Sequence, residues 1–353
     1  MKKIDLQSPI FIHSNTTLLE ALKKMNEIKR KLLIVIEEKK FVSVLSIGDV
    51  QRAILNKHLL TDSIVNILRK EITVCHSSDS PEFVKKQMLE KRTECMPILD
   101  ESNNLIDLWY WEDIFGENVK RKEVSLNLPV VIMAGGKGAR LKPLSNILPK
   151  PLIPIKEKTI IEDIMDRFVK VGCSDFYISV NYKSELIKFY LNNLEDKIYK
   201  ITYFEEDKPL GTAGSMFLLK EKIKTTFFVS NCDILIKQDL EEIYNYHHEN
   251  KNVITIVSAL KNYIIPYGTI YTGKGGKLLE LDEKPEHLVQ INTGMYILEP
   301  EALYEIPENE FFHITDLIER VRSKNLKVGV FPIPETSWQD IGSWDEYYKI
   351  LNQ

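Results

Sequence analysis

The residues best placed to do chemistry are Val130-Val131-Ile132-Met133-Ala134-Gly135-Gly136-Lys137-Gly138-Ala139-Arg140-Leu141, followed by Leu148-Pro149-Lys150-Pro151-Leu152. An apolar strand ends in a glycine-rich loop whose bare amides can approach a phosphate, and two cations, Arg140 and Lys150, stand behind it. The loop is not GxxxxGK followed by Ser or Thr, so the P-loop reading fails. Nor is it GxGxxG, so a dinucleotide fold is unsupported. A tight turn alone would need the glycines but not the two cations. The pattern is that of a polyanion held by amides and positive side chains.

The run AGGKGARLKPL with the later PKPL resembles the signature of the sugar-1-phosphate nucleotidyltransferases, the nucleoside-diphosphate-sugar pyrophosphorylases. Further matches follow in that family's order: Pro209-Leu210-Gly211-Thr212-Ala213-Gly214, Asn231-Cys232-Asp233, Tyr267-Gly268-Thr269, Glu283-Lys284-Pro285, Asn292-Thr293-Gly294 and Trp338-Gln339-Asp340-Ile341-Gly342. In that family a sugar-1-phosphate oxygen attacks the α-phosphorus of a nucleoside triphosphate and pyrophosphate leaves. Such an enzyme needs no nucleophile of its own. It must hold two polyanions in line and neutralise the charge that builds up, which calls for amides, Lys, Arg and a divalent cation on carboxylates.

The resemblance implies roles residue by residue. Ala134, Gly135, Gly136 and Gly138 would hold the triphosphate, Arg140 the leaving pyrophosphate, and Lys150 the phosphates at the reacting centre. Asp233 and Asp340 would hold Mg²⁺, which takes few protein ligands and completes its shell with water and phosphate oxygens. A helix cap in a βα loop is the other reading of Asp233. Glu283 would accept from sugar hydroxyls and Lys284 would meet the sugar phosphate, with Gly268, Asn292 and Thr293 beside them. For Asn292 an edge-strand turn is the alternative. Gly211 and Thr212 would lie beside base or ribose. Glu206 precedes Gly211 by five residues, where the family reads the base. A carboxylate can accept both N1–H and N2–H₂ of guanine, which favours GTP, unless Glu205-Glu206-Asp207 is a solvated acidic run.

These residues need a scaffold. Apolar runs at Val130–Ala134, Phe176–Val180, Phe227–Ser230 and Val253–Leu260 alternate with helical stretches. That predicts an α/β fold: a Rossmann-like nucleotidyltransferase domain over 129–353 with a mostly parallel mixed sheet covered by helices, ligands sitting at the strands' carboxyl ends. Residues 119–128 read as a linker.

Before it, residues 1–118 repeat a helix–strand–turn–strand–helix order. Ser80 follows Thr16 by 64 residues and Asp113 follows Asp49 by the same 64. The pattern resembles a tandem pair of cystathionine-β-synthase (CBS) domains. In that family the Ser/Thr-x-x-Asp at the second strand's end holds a nucleotide. Here it survives as Ser46-Ile47-Gly48-Asp49, whereas Tyr110-Trp111-Glu112-Asp113 keeps the acid and loses the hydroxyl. Ser46, Asp49 and Asp113 therefore either form an adenine-nucleotide site or cap helices in a dimerisation scaffold. A CBS pair also implies a homo-oligomer.

Composition closes other classes. The chain has 353 residues, 44% hydrophobic and 28% charged, with a net charge of −4, which gives no reason to expect nucleic acid or an anionic membrane as partner. No stretch reaches the ~20 apolar residues of a membrane span. Four scattered cysteines without metal spacing fit a reducing cytoplasm. His247-His248 reads as surface, and Trp109 and Trp111 as packing between the repeats. Chains joining a CBS pair to this enzyme type resemble glucosamine-1-phosphate guanylyltransferases of bacterial legionaminic acid synthesis, which serve flagellin glycosylation. The expected partners are thus GTP, or another nucleoside triphosphate, and a hexose- or hexosamine-1-phosphate. Mannose-1-phosphate guanylyltransferase is the nearest enzymatic alternative, and a non-catalytic nucleotide sensor is the alternative of another class.

Overall fold

The computed structural model describes residues 8–28, 30–91, 93, 95–111, 114, 125–195 and 197–351. The chain divides into two compact units, 1–122 and 123–353.

In the first unit, β1 (Phe11–Ile12), α1 (Leu18–Glu27), β2 (Leu32–Glu37), β3 (Lys40–Ser46) and α2 (Ile47–Leu55) form a three-stranded sheet with two helices. Thr17 and Glu20 close the expected capping box: the Thr17 hydroxyl accepts from the Glu20 amide at 3.2 Å, and the Glu20 carboxylate accepts from the Thr17 amide at 2.8 Å. The plan repeats in β4 (Cys75–His76), α3 (Pro81–Lys91), β5 (Cys95–Leu99) and β6 (Leu105–Tyr110), again with one parallel and one antiparallel pairing. Ile34, Ile36 and Val44 of the first sheet share a buried cluster with Cys95, Leu99 and Leu105 of the second, so the two half-units do pack together. On α3, Val84 and Met88 are buried, while Phe83 is 45% exposed. Trp109 and Trp111 pack on the second repeat's own core, beside Met88 and Met96. Asp113 lies outside the described residues.

The second unit is built on a seven-stranded sheet. Its strands are β7 (Val130–Met133), β8 (Asp175–Val180), β9 (Lys200–Glu205), β10 (Phe227–Asn231), β12 (Ile254–Ile264), β15 (Glu286–Leu298) and β16 (Val328–Pro334), in the order β9-β8-β7-β10-β15-β12-β16. All run parallel except β15, so the sheet is mostly parallel and mixed. Of the short ribbons beside this sheet, β11 (Ile234–Ile236) pairs with β17 (Trp338–Asp340), and β13 (Thr269–Thr272) with β14 (Leu278–Asp282). Strand β7 shows why its sequence is continuously apolar. Val130 and Ile132 enter one core with α4 (Ile160–Val169), α5 (Ser184–Asn192) and α6 (Leu240–Glu249), while Val131 enters the other with α7 (Ile314–Ser323). Both faces of the sheet are covered. Among the described residues no helix is long and apolar enough to cross a membrane.

One sequence expectation is corrected here. His247 is 1% exposed, not superficial, because its position on α6 faces β12. Its Nε2 meets Glu299 at 3.1 Å and its Nδ1 meets the Thr255 hydroxyl at 2.8 Å, while Thr226 donates to Glu299 at 2.8 Å. A carboxylate only accepts, so Nε2 donates to Glu299. The His247 hydrogen bond holds the Glu299 carboxyl below its ordinary value of 4.5. A carboxyl lowered in the fold stabilises it above the unfolded value, and that stabilisation fades as pH falls through the lowered one. Replacing Glu299 by Ala should therefore cost about 1–3 kcal/mol near neutrality, the penalty of an orphaned buried donor. Urea titrations of both chains should show that gap closing below pH 4.5; a gap that ignores pH would remove the carboxylate from this role.

Candidate active site

Strand order places the site. The chain leaves β7 to one side, toward β8 and β9, and later returns on β7's other side as β10. The loops that follow β7 and β10 therefore diverge, and a crevice opens at the strands' carboxyl ends. A cavity of about 450 Å³ lies there, lined by Gly135, Gly136, Gly138, Arg140, Lys150, Glu206, Gly211, Thr212 and Asp233 among others. Nine of the ten positions expected for catalysis and nucleotide binding thus line one cavity. Ala134, the tenth, is buried at the loop's root and does not line it.

The glycine loop folds back so that Gly138 lies against the Lys150 side chain. Lys150 is 8% exposed, and its ammonium is ion-paired with Asp233 directly after β10. Asp340 reaches the same place through the β11/β17 ribbon, where Ile234 stands opposite Asp340 and the Ile341 amide donates to the Asp233 carbonyl at 2.7 Å. Burial pushes the Asp340 carboxyl above its ordinary value and the Asp233 charge adds to this, while Lys150, Arg140 and the Gly342 amide oppose it. Asp340 Oδ1 is a buried acceptor without a hydrogen-bond partner. Two carboxylates face two cations, and one oxygen is left over. Among the described residues no group of three or more His, Cys, Asp or Glu is arranged around a metal, so a cation here would rest on the two aspartates and take its other ligands from elsewhere.

The opposite wall carries the buried carboxylate of Glu206. Glu206 is 8% exposed, which excludes the solvated-run reading. Its oxygens accept from the Ser179 hydroxyl at 3.0 Å and from the Leu210 amide at 2.7 Å, and each keeps a free lone pair. Asn181 fixes the Glu206 carbonyl at 2.9 Å. Gly211 has φ +81°, and a Cβ there would stand 2.7 Å from the Phe312 carbonyl, so only glycine lets these two loops meet. The Thr212 hydroxyl accepts from the Ile314 amide at 3.0 Å, which makes it a brace for α7 as well as a wall residue.

The residues expected on the sugar side lie outside the cavity lining. Gly268 backs on to the Glu283 carboxylate, and Lys284, exposed, adopts φ +52° at the end of the β13/β14 ribbon. Asn292 is exposed on β15, where it stands opposite Ser258 in an interior strand and not in an edge-strand turn; its side-chain oxygen accepts from the Gly294 amide at 3.0 Å, and its side chain also hydrogen-bonds Tyr296. Thr293 departs from expectation. It is 2% exposed and its hydroxyl donates to the Val257 carbonyl at 2.8 Å, so its side chain serves the bulge where β12 and β15 slip register. Cys232 lines the cavity, but burial pushes its thiol up to about 12, which excludes a thiolate nucleophile at neutral pH.

In the first unit Ser46 and Asp49 form a capping box on α2. Arg69 donates to the Asp49 carboxylate at 2.9 and 3.0 Å and to the Ser46 hydroxyl at 2.9 Å, and Arg52 also pairs with Asp49. The capping reading describes what these two residues do in the structure. Sequence reasoning overlooked Asn181, Asn231 and Phe311, all lining the cavity. The two asparagines carried a usable signal, a polar residue ending an apolar strand of a parallel sheet.

Gly342 yields a direct check, since a Cβ there would stand 2.6 Å from Arg140 Nη2. A Gly342→Ala chain should melt cooperatively yet bind a nucleoside triphosphate about tenfold more weakly by calorimetric titration, about 1.4 kcal/mol of lost charge-assisted contact. Wild-type affinity would show that Arg140 does not need this seat.

A family model described as nucleotidyl transferase matches residues 129–353, and one described as CBS domain matches residues 2–56. A UTP–glucose-1-phosphate uridylyltransferase of Synechocystis is 30% identical over 243 residues, covering 64% of this chain and 62% of that protein. A mannose-1-phosphate guanyltransferase of Yarrowia lipolytica is 36% identical over 180 residues, covering 49% and 50%. The chain thus spans less than two thirds of either relative's length. A solved Bacillus anthracis structure named as a glucose-1-phosphate thymidylyltransferase superposes with a TM-score of 0.51 at 18% identity, over 64% of this chain and 94% of that one, a likeness of fold. With the model covering the whole second unit, the chain belongs to the nucleotidyl transferase family.

Proposed function

We propose that this chain transfers a nucleotidyl group from a nucleoside triphosphate to a sugar-1-phosphate. A phosphate oxygen of the sugar bonds to the α-phosphorus, the bond to the β-phosphate bridge breaks, and pyrophosphate carries away the electron pair. The observation that carries this reading is the meeting of Arg140, Lys150, Asp233 and Asp340 beside a glycine loop. Arg140 and Lys150 hold the phosphates in line and balance the developing charge. Magnesium fits Asp233 and Asp340, because Asp340 offers a partnerless buried oxygen and hard carboxylates suit a cation that keeps water and phosphate ligands. When bound it would polarise the phosphate oxygens.

The base we infer is guanine, read by the buried Glu206, and relatives named as guanylyltransferases support it. The sugar we infer is glucosamine-1-phosphate, giving GDP-glucosamine for legionaminic acid and flagellin glycan synthesis; this rests on the joining of CBS repeats to this enzyme type. Mannose-1-phosphate is the second reading, favoured by the Yarrowia relative's name. In the first unit an adenine nucleotide at Ser46 and Asp49 would have to displace Arg69, so we favour the CBS pair as a scaffold for a homo-oligomer.

The deciding experiment measures pyrophosphate release with Mg²⁺ across GTP, UTP, dTTP, CTP and ATP, each with glucosamine-, N-acetylglucosamine-, glucose- and mannose-1-phosphate. One strong signal with GTP and glucosamine-1-phosphate is expected. Strong turnover with another pair would discard the substrates and keep the reaction. Silence across the grid with tight nucleotide binding would make the chain a sensor. Asp233→Ala should lower the active pair's rate by about a hundredfold or more while the fold persists, and an unaffected rate would remove Asp233 from the metal site.

A further inference from the structure

Phe311 is the one aromatic side chain lining the cavity among the described residues, and nothing in the family motifs points to it. It belongs to an extended segment just before α7, in which successive side chains point to opposite sides. Phe312 is 9% exposed, buried in the core beneath β7, with the Arg320 guanidinium 4.9 Å from its ring centre. Phe311 consequently faces outward and is 62% exposed, an unfavourable place for a phenyl ring in water.

The backbone around it is held firmly. The Phe312 amide donates to the Leu210 carbonyl at 2.9 Å, and the Ala213 and Gly214 amides both donate to the Phe312 carbonyl at 3.0 Å. The His313 ring stands edge-to-face on Phe311 at 4.7 Å and 83°. An exposed ring is thus tied by three backbone bonds to the loop that carries Glu206, Leu210 and Gly211.

We propose that Phe311 is the stacking face for a purine base whose edge is read by Glu206. The inference rests on the nucleotidyl-transfer reading of the cavity and deepens it by naming the base-binding ring. A π-face and an edge-on carboxylate acceptor together select a flat ring that offers N–H donors at its rim. Purines present the larger stacking area, so the ring favours them over pyrimidines in addition to Glu206.

The experiment reads nucleotide affinity by calorimetric titration of the full chain without sugar. Wild type, Phe311→Ala and Phe311→Trp are each titrated with GTP, UTP and inorganic tripolyphosphate, the last lacking any base. Loss of base–aromatic stacking predicts that Phe311→Ala weakens GTP about tenfold or more, weakens UTP less, and leaves tripolyphosphate unchanged. Phe311→Trp should restore GTP affinity, because another flat ring takes the same place. Equal GTP affinity in wild type and Phe311→Ala would overturn the proposal. So would an equal loss for GTP and tripolyphosphate, which would mark a disturbed loop, not a lost stack. Because no sugar is present, a chain that binds GTP but transfers nothing would fail the functional reading and leave this result intact.

Discussion

The Lys150–Asp233 ion pair joins the two loops on which the site depends, one after β7 and one after β10. Both partners are largely withdrawn from water, with side-chain exposures of 9% and 17%. A lone ammonium or carboxylate at that depth would carry a large desolvation cost, and each partner offsets the other's only while the loops stay together. The same constraint orders the rest of the phosphate end. Gly138 must lie against the Lys150 stem, Asp340 must approach Asp233 through the β11/β17 ribbon, and Arg140 must sit over Gly342. Holding these four charges in balance leaves the Asp340 oxygen free, the position a cation would take.

On the wall around Glu206 the same sheet supplies a different solution. Glu206 is buried and, among the described residues, is held by one hydroxyl and one amide with no ion pair to a cation. A carboxylate kept on two hydrogen bonds retains strong acceptor capacity, which suits a donor-bearing ligand edge. The loop 210–214 and the segment before α7 meet along backbone hydrogen bonds, so the base wall is set by main chain and tolerates few substitutions at Gly211.

What was legible in the sequence follows from which signals are local. The glycine loop after an apolar strand, the capping box at Thr17 and the alternation of strands and helices are all fixed within a few residues, and each is present. Asp340 and Asp233 were legible only through family motifs, because the register of a ribbon three residues long between positions so far apart leaves no periodic trace. Thr293 was misjudged because a motif position does not reveal that a register slip turns its hydroxyl into the sheet. His247 was misjudged because a helix's polar run does not show which histidine meets a buried Thr255 and Glu299. Phe311 had no signal, since two adjacent phenylalanines in a loop look alike until one of them is buried.

The single antiparallel strand separates two groups of residues at the cavity's edge. Strand β12 runs with β7 and β10, so its far end, near Ile264, emerges at the edge where the cavity opens. The β13/β14 ribbon follows, and β15 begins at that same edge because it runs the other way. An antiparallel strand delivers its start where parallel strands deliver their ends. Gly268, Glu283, Lys284 and Asn292 therefore all belong to one excursion from the active edge, while Glu206, Gly211 and Phe311 belong to a separate wall built on β8, β9 and the segment before α7. Between them, Gly294 at the β15 bulge lies against Asn231 at the end of β10. Residues on the excursion can therefore change without moving the wall that carries Glu206, because the two are built on different strands.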